Sequence, residues 1–209
     1  MSLSPSLELD PALLKQAVGI LRDGGLVAYP TDTVYGLAAL PTDERAVRRL
    51  FEAKKRELDK AVPLLIASPG DLASVAGEVP EVARKLIDAF WPGALTLVLR
   101  KAERFRSLAV GETVAVRVPD HPVPRELARL LGAPITGTSA NVSGGAEALS
   151  ANEVRVQLGD AVDLIIEGGR CPGGRPSTVV DCTSRVPRIV RAGAIGREEL
   201  KSKTGLEFV

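Results

Sequence analysis

Apolar residues in this chain first recur at helical spacing. Leu13, Leu14, Ala17, Val18 and Leu21 predict an amphipathic helix. Asp10 is placed to cap its free N–H groups, Pro11 suits its first turn, and Gly24-Gly25 stops it. Leu26 to Pro30 then reads as a short buried strand and Thr31 to Leu40 as an irregular polar loop. Asp43 opens a second helix, to about Lys55, with Ala46, Val47, Leu50 and Phe51 facing inward. A strand over 62–67 is followed by a helix from Pro80 to Phe90, which Trp91-Pro92-Gly93 ends. Strands follow over 94–99 and 113–118, joined by an irregular connection over 101–112. In the second strand Val114, Val116 and Val118 face a core, leaving Thr113, Ala115 and Arg117 on the other face. Further on, helices are predicted over 122–131 and 152–158, strands over 134–138 and 162–166, and a flexible loop over 168–174. Strands over 177–181 and 188–191 are close enough in sequence to be antiparallel neighbours, and 198–203 closes as a helix. The strands are spaced too irregularly for a simple doubly wound fold. The pattern predicts an α/β class: one domain over 1–209, with a mixed, twisted sheet and helices packed on it.

Composition narrows the function. A chain of 209 residues, 45% hydrophobic and 25% charged, can bury a core without disulfides or metal. His121 is the only histidine, so a multi-histidine metal centre and a Ser–His–acid triad are both poor readings. It lies between Asp120 and Pro122 at a helix start, where a capping or surface role is expected. Cys171 and Cys182 stand apart from any Cys or His cluster and read as free thiols of a cytoplasmic protein, although their spacing alone permits a disulfide. A net charge of +1 and 3% aromatics argue against a generally basic, base-stacking nucleic-acid binder. No apolar run is long enough to span a bilayer, and Met1-Ser2-Leu3-Ser4 has no basic start of a secretory signal.

Five segments concentrate polar chemistry. Pro30 to Leu37 follows a buried strand and carries Thr31, Asp32, Thr33 and Tyr35; it could bind a small polar ligand, or its side chains could serve the turn itself. Lys54-Lys55-Arg56 at a helix end is either a solvated basic terminus or a phosphate site, with Arg56 able to clamp two oxygens. Arg117 could hold a carboxylate if its strand face lines a cleft. Gly137-Thr138-Ser139-Ala140-Asn141 leaves room for backbone N–H groups to meet a phosphate, although the chain has no Walker loop. Ser177 and Thr178, followed later by Arg191, are either a binding edge or ordinary strand residues.

In this order the segments resemble the YrdC-like family, whose members make L-threonylcarbamoyladenylate. The matching runs are Tyr29 to Leu37, Lys54-Lys55-Arg56, Trp91 to Thr96, Val114 to Pro119, Thr138 to Asn141 and Pro176 to Asp181, with Arg191-Ala192-Gly193 closing the set. They fall within about 13–200, nearly the whole chain.

The resemblance implies a YrdC-like fold with a concave basic cleft. It also implies a reaction: L-threonine and bicarbonate form a carbamate, which attacks the α-phosphate of ATP to give threonylcarbamoyl-AMP and pyrophosphate. By the same resemblance Thr33, Arg117, Gly137 and Ser177 would meet the threonine, Arg117 pairing its carboxylate. Lys54 and Arg56 would be catalytic and bind the ATP phosphates, while Thr113, Ser139, Asn141 and Arg191 would lie at the nucleotide. Mg²⁺ would arrive with the ATP phosphates rather than occupy a protein cage. Partner proteins would pass the threonylcarbamoyl group to tRNA, with at most a weak contact between this chain and tRNA or other RNA. The departures are Glu57, where the family usually carries Pro, and a Pro63-to-Ser68 stretch without the His of some members. The chain reads as the family's short form. A competing expectation is an RNA-binding or ribosome-associated module on the same fold, without synthase activity.

Overall fold

In the computed structural model, which describes residues 10–58, 60–172 and 175–209, the predicted strands divide between two mixed sheets rather than joining in one. In chain order the elements are α1 (Pro11–Arg22), β1 (Val27–Tyr29), β2 (Gly36–Ala38), α2 (Glu44–Ala53), β3 (Leu64–Leu65), α3 (Glu81–Phe90), β4 (Leu95–Arg100), β5 (Thr113–Arg117), α4 (Pro122–Leu131), β6 (Ile135–Thr136), β7 (Thr138–Ser139), α5 (Ala151–Leu158), β8 (Leu164–Ile165), β9 (Thr178–Asp181), β10 (Arg188–Arg191) and α6 (Arg197–Thr204). The smaller sheet runs β7-β2-β1-β8 and the larger β10-β9-β4-β5-β3-β6.

The helix starts follow the local chemistry. Asp10 accepts the Ala12 N–H at 2.8 Å, and Asp43 accepts those of Arg45 and Ala46 at 2.8 and 3.3 Å. His121 takes the capping role expected of it: Nδ1 accepts the Val123 N–H at 3.2 Å at the start of α4. Burial lowers its pKa, with the nearby Asp32 and Asp120 charges opposing. β9 and β10 are antiparallel neighbours, as their short link predicts.

Two sequence expectations need correction. The loop over 31–40 contains β2, whose apolar run is too short to be told from buried loop; Gly36 sits where a Cβ would strike the Tyr29 ring at 2.5 Å. The strand over 62–67 shrinks to β3, and a 3-10 turn over Pro69–Ser74 follows, closed by Asp71 accepting the Ser68 N–H at 2.9 Å. Of the loop over 168–174, residues 168–172 are irregular, and 173–174 lie outside the described residues, as does the segment 1–9.

Strand alternation distributes the core. On the larger sheet Leu95, Leu97, Leu99, Val114, Val116 and Val180 pack with Leu86 and Phe90 of α3 and Leu200 of α6. The strand β1 is buried on both faces. Leu26 and Ala28 face α2 and α5, while Val27 and Tyr29 face α1 and α4 together with Leu65 and Ile135 of the larger sheet. Thr136 stitches the sheets together: its Oγ1 donates to Leu37 O at 2.9 Å and accepts the Ala39 N–H at 2.8 Å, while its carbonyl accepts the Tyr29 hydroxyl at 2.8 Å. Cys171 and Cys182 are buried, unpaired and in different core clusters.

Candidate active site

The face of the larger sheet opposite α3 and α6 is partly open, although α4 packs near its β3 and β6 end. Each of its strands β10, β9, β4, β5 and β3 contributes to a cavity of about 300 Å³: Arg191, Val179, Thr96, Ala115 with Arg117, and Leu65. Arg191, Val179 and Thr96 are successive register partners, and Leu65 is the partner of Arg117. The alternation that puts Val114 and Val116 in the core therefore puts Arg117 into the cavity. The remaining walls are Thr33-Val34 after β1, Arg56 with Ala61 and Pro63, Gly137 to Ser139, Glu147, and Pro176-Ser177.

Arg117 is held on three sides. Its Nε donates to Gly93 O at 2.8 Å, Nη1 to Thr33 Oγ1 at 3.1 Å, and Nη2 to Asp32 Oδ1 at 2.6 Å. The turn below it is closed by its own hydrogen bonds. Thr31 Oγ1 donates to Val34 O at 2.7 Å and accepts the Thr33 and Val34 N–H groups at 2.9 and 3.2 Å. The segment thus serves its own turn through Thr31 and lines the cavity through Thr33 and Val34.

Arg191 lies across Ser177, its Nη2 donating to Ser177 O at 2.9 Å and Oγ at 3.2 Å. Ser177 Oγ also shares a 2.7 Å hydrogen bond with Thr96 Oγ1. Gly193 makes this approach sterically feasible, since a Cβ there would fall 2.4 Å from Pro176 O. Burial pushes the Arg191 pKa down; Glu147 opposes that shift and Arg117 adds to it. Arg56 lines the opposite loop and donates from Nη2 to Ala61 O at 3.0 Å. Glu57, the departure from the family's Pro, is paired with Lys60 at 3.0 Å and exposed, and is not part of the cavity wall.

The structure thus brings together eight expected residues: Thr33, Arg56, Arg117, Gly137, Ser139, Ser177 and Arg191 in the cavity lining, and Asn141 behind it. Two stand apart from what was expected of them. Thr113 is exposed at the start of β5, on the face of Ala115 but outside the cavity lining, because the strand reaches the cavity only from Ala115 onward. Lys54 is only 2% exposed and is likewise absent from the lining. Its ammonium donates to the carbonyls of Ser139 and of Asn141, the latter at 2.7 Å, and its own carbonyl accepts the Ser143 N–H at 2.8 Å. In this arrangement the ammonium grips the loop that carries Ser139. Burial lowers the Lys54 pKa to about 8, Arg56 adding to the shift and Glu147 opposing it. Asn141 supports the same loop, its Nδ2 donating to Val142 O at 3.0 Å and Gly145 O at 2.9 Å, while its buried Oδ1 has no partner among the described residues.

Three residues escaped the sequence reading. Thr96 was accessible from the alternation Leu95, Leu97, Leu99, which leaves it on the Arg117 side. Asp32 was read as part of a ligand loop or of its turn, with no link to Arg117. Glu147 had no signal at all, being a lone acid in a loop that only the fold brings in front of Arg191 and Lys54.

Comparison with known proteins bears on what this site does. The Sua5, YciO and YrdC family model, described as telomere recombination, matches residues 19–193. A threonylcarbamoyl-AMP synthase of Pyrococcus abyssi (strain GE5 / Orsay) is 43% identical over 194 residues, 92% of this chain and 57% of that protein. One of Bacillus subtilis (strain 168) is 38% identical over 208 residues, 98% of this chain and 60% of that protein. The solved structure of P. abyssi Sua5 complexed with L-threonine superposes with a TM-score of 0.88 at 41% identity, covering 94% of this chain and 58% of that one. The chain spans less than two thirds of the length of each of these relatives.

Proposed function

We propose, from the premise that this chain belongs to the Sua5, YciO and YrdC family, that it is a threonylcarbamoyl-AMP synthase. The observation that carries the reading is the state of Arg117. Three of its five N–H groups are taken by Gly93, Thr33 and Asp32, and one on each terminal nitrogen has no partner among the described residues. That is the pair needed for a two-pronged grip on a carboxylate. It stands on the cavity wall beside Thr33, with Ser177 also in reach of the same cavity.

In this reading the amino acid's carboxylate rests on Arg117, and its hydroxyl and amine face Thr33, Ser177 and the backbone at Gly137. The amine and bicarbonate lose water to form the carbamate. A carbamate oxygen attacks the α-phosphorus of ATP, the bond to the β-phosphate oxygen breaks, and pyrophosphate departs. Arg56, Arg191 and Ser139 hold the phosphates and oppose the charge that builds on the leaving group. Such chemistry asks for positioning and preorganised charge rather than covalent catalysis. Lys54 and Asn141 contribute by fixing the Ser139 loop. The cavity volume of about 300 Å³ is at the small end of ligand pockets.

Mg²⁺ fits this cavity only as a companion of ATP. The lining offers one carboxylate, Glu147, and the described residues contain no group of three or more metal-ligating side chains. Bound with the nucleotide, the ion would neutralise phosphate charge.

The product would be consumed by tRNA-modification partners, in the cytoplasm, where two buried thiols stay reduced. Among the described residues no helix is long and apolar enough to cross a membrane. The experiment is pyrophosphate release by the purified chain. We expect release that requires ATP, L-threonine and bicarbonate together. ATP turnover indifferent to threonine, with tight RNA binding at physiological salt, would overturn the reading in favour of an RNA-binding module.

A further inference from the structure

The carboxylate of Asp32 has no place in the cavity lining, yet it touches the residue on which the proposed amino-acid site depends. We infer that Asp32 is a positioning residue, which sets the Arg117 guanidinium in one orientation and thereby determines how tightly the site holds an α-carboxylate. This rests on the synthase reading above.

The Asp32–Arg117 pair is well buried, with the side chains 16% and 7% exposed, and its 2.6 Å length is that of a charge-assisted hydrogen bond. A bare Arg side chain has four rotatable bonds and could turn its fork several ways. Here Gly93 O fixes Nε, Thr33 Oγ1 fixes Nη1 and Asp32 fixes Nη2. Gly93 and Thr33 are neutral acceptors, so Asp32 is the only one of the three that also balances the charge. Removing its carboxylate would leave a buried guanidinium with an unfilled N–H and a net positive charge, free to swing toward any anion in the cavity, including a phosphate of ATP. The turn that carries Asp32 is itself clamped by Thr31, so the pair is anchored to backbone at both ends. Asp32 thus does two things at once. It directs the two remaining N–H groups at a single carboxylate, and it reduces the attraction of Arg117 for the more highly charged phosphates of the neighbouring substrate.

The test uses the full chain and three proteins: wild type, Asp32→Ala and Asp32→Asn. L-threonine binding is measured by calorimetric titration, and threonine-dependent pyrophosphate release is measured with ATP and with threonine as the varied substrate. A misplaced binding group commonly costs on the order of tenfold to a hundredfold. Asp32→Ala should weaken threonine binding and raise its KM by about that factor, with kcat at saturating threonine within about twofold of wild type and a KM for ATP no higher than that of wild type. Asp32→Asn keeps an oxygen acceptor for Nη2 and should recover part of the loss. Threonine affinity unchanged in both variants overturns the inference. So does an equal loss for threonine and ATP that tracks a fall in melting temperature, since that is what a merely structural contact would give. A wild type that binds threonine without releasing pyrophosphate refutes the synthase reading while the titration still decides the role of Asp32. A wild type that does not bind threonine refutes both.

Discussion

Replacing Lys54 by Met removes an ammonium and keeps nearly all of the buried stem, so the change isolates the charge and its hydrogen bonds. At pH 7 the ammonium donates to the carbonyls of Ser139 and Asn141. Hydrogen bonds to a charged group contribute about 1.5–3 kcal/mol each. Against this stands the cost of burying the charge, which appears as the lowering of the Lys54 pKa from 10.5 to about 8 and amounts to roughly 3 kcal/mol. The net loss for Lys54→Met at pH 7 should be at most about 3 kcal/mol. The pH dependence is the sharper part. Below pH 8 both the folded and the unfolded chain are protonated at Lys54, and the cost of the buried charge is present in full. Between 8 and 10.5 the unfolded chain binds more protons, so stability rises with pH. From pH 7 to pH 10 the wild type should therefore gain about 2–3 kcal/mol relative to Lys54→Met. The buried thiols and tyrosines, whose pKa values are raised, act in the opposite direction on each protein alone. They are common to both, so the difference between the two proteins reports Lys54. Urea unfolding followed by the fluorescence of Trp91, the only tryptophan and a buried one, supplies the measurement at pH 7, 8, 9 and 10. A gap that stays constant or narrows as pH rises would refute the argument that Lys54 is a charged group buried behind the Ser139 loop.

Two further outcomes follow from the geometry. Gly193→Ala puts a Cβ 2.4 Å from Pro176 O and 2.5 Å from the Ser177 carbonyl carbon, so backbone must move; we expect a loss of about 1–3 kcal/mol in denaturant unfolding and weaker ATP binding as Arg191 leaves Ser177, and an unchanged midpoint would show that the strand yields without cost. Burial pushes the Cys182 thiol up to about 12 and raises Cys171 as well, so neither should react with a disulfide reagent at pH 8 until the protein is unfolded, whereas rapid stoichiometric labelling of the native protein would contradict their burial.

How much of this was legible in the residues depends on the range over which each feature is decided. Asp10, Asp43 and His121 act within one helical turn, and their capping roles follow from their neighbours alone. The Arg117 face was readable for a similar reason, because a two-residue period assigns Val114 and Val116 to one side and Arg117 to the other. The motif blocks named most of the cavity wall by resemblance. What they could not tell was which side of the wall each residue occupies. Lys54 and Arg56 are two positions apart and chemically alike, yet the turn through Lys55, at φ 49°, leaves one ammonium inside the Ser139 loop and one guanidinium on the cavity. That φ lies in a region rarely adopted by Lys and has no sequence signal.

The division into two sheets was likewise decided by tertiary structure. Short strands such as β2, β3, β6 and β7 are too brief for a periodic pattern, and their pairing depends on contacts such as Thr136 with Leu37 and Ala39, about a hundred residues distant along the chain. The sequence by itself determined the helices, the caps, the apolar face of each longer strand and the family the chain resembles, because all of these rest on neighbours or on contiguous motifs. Only the folded chain decided that Asp32 should hold Arg117, that Glu147 should face the cations, and that Lys54 should serve the loop behind the cavity. Each of those depends on a side chain's partner across the fold, and a buried charge is placed by the partner it finds.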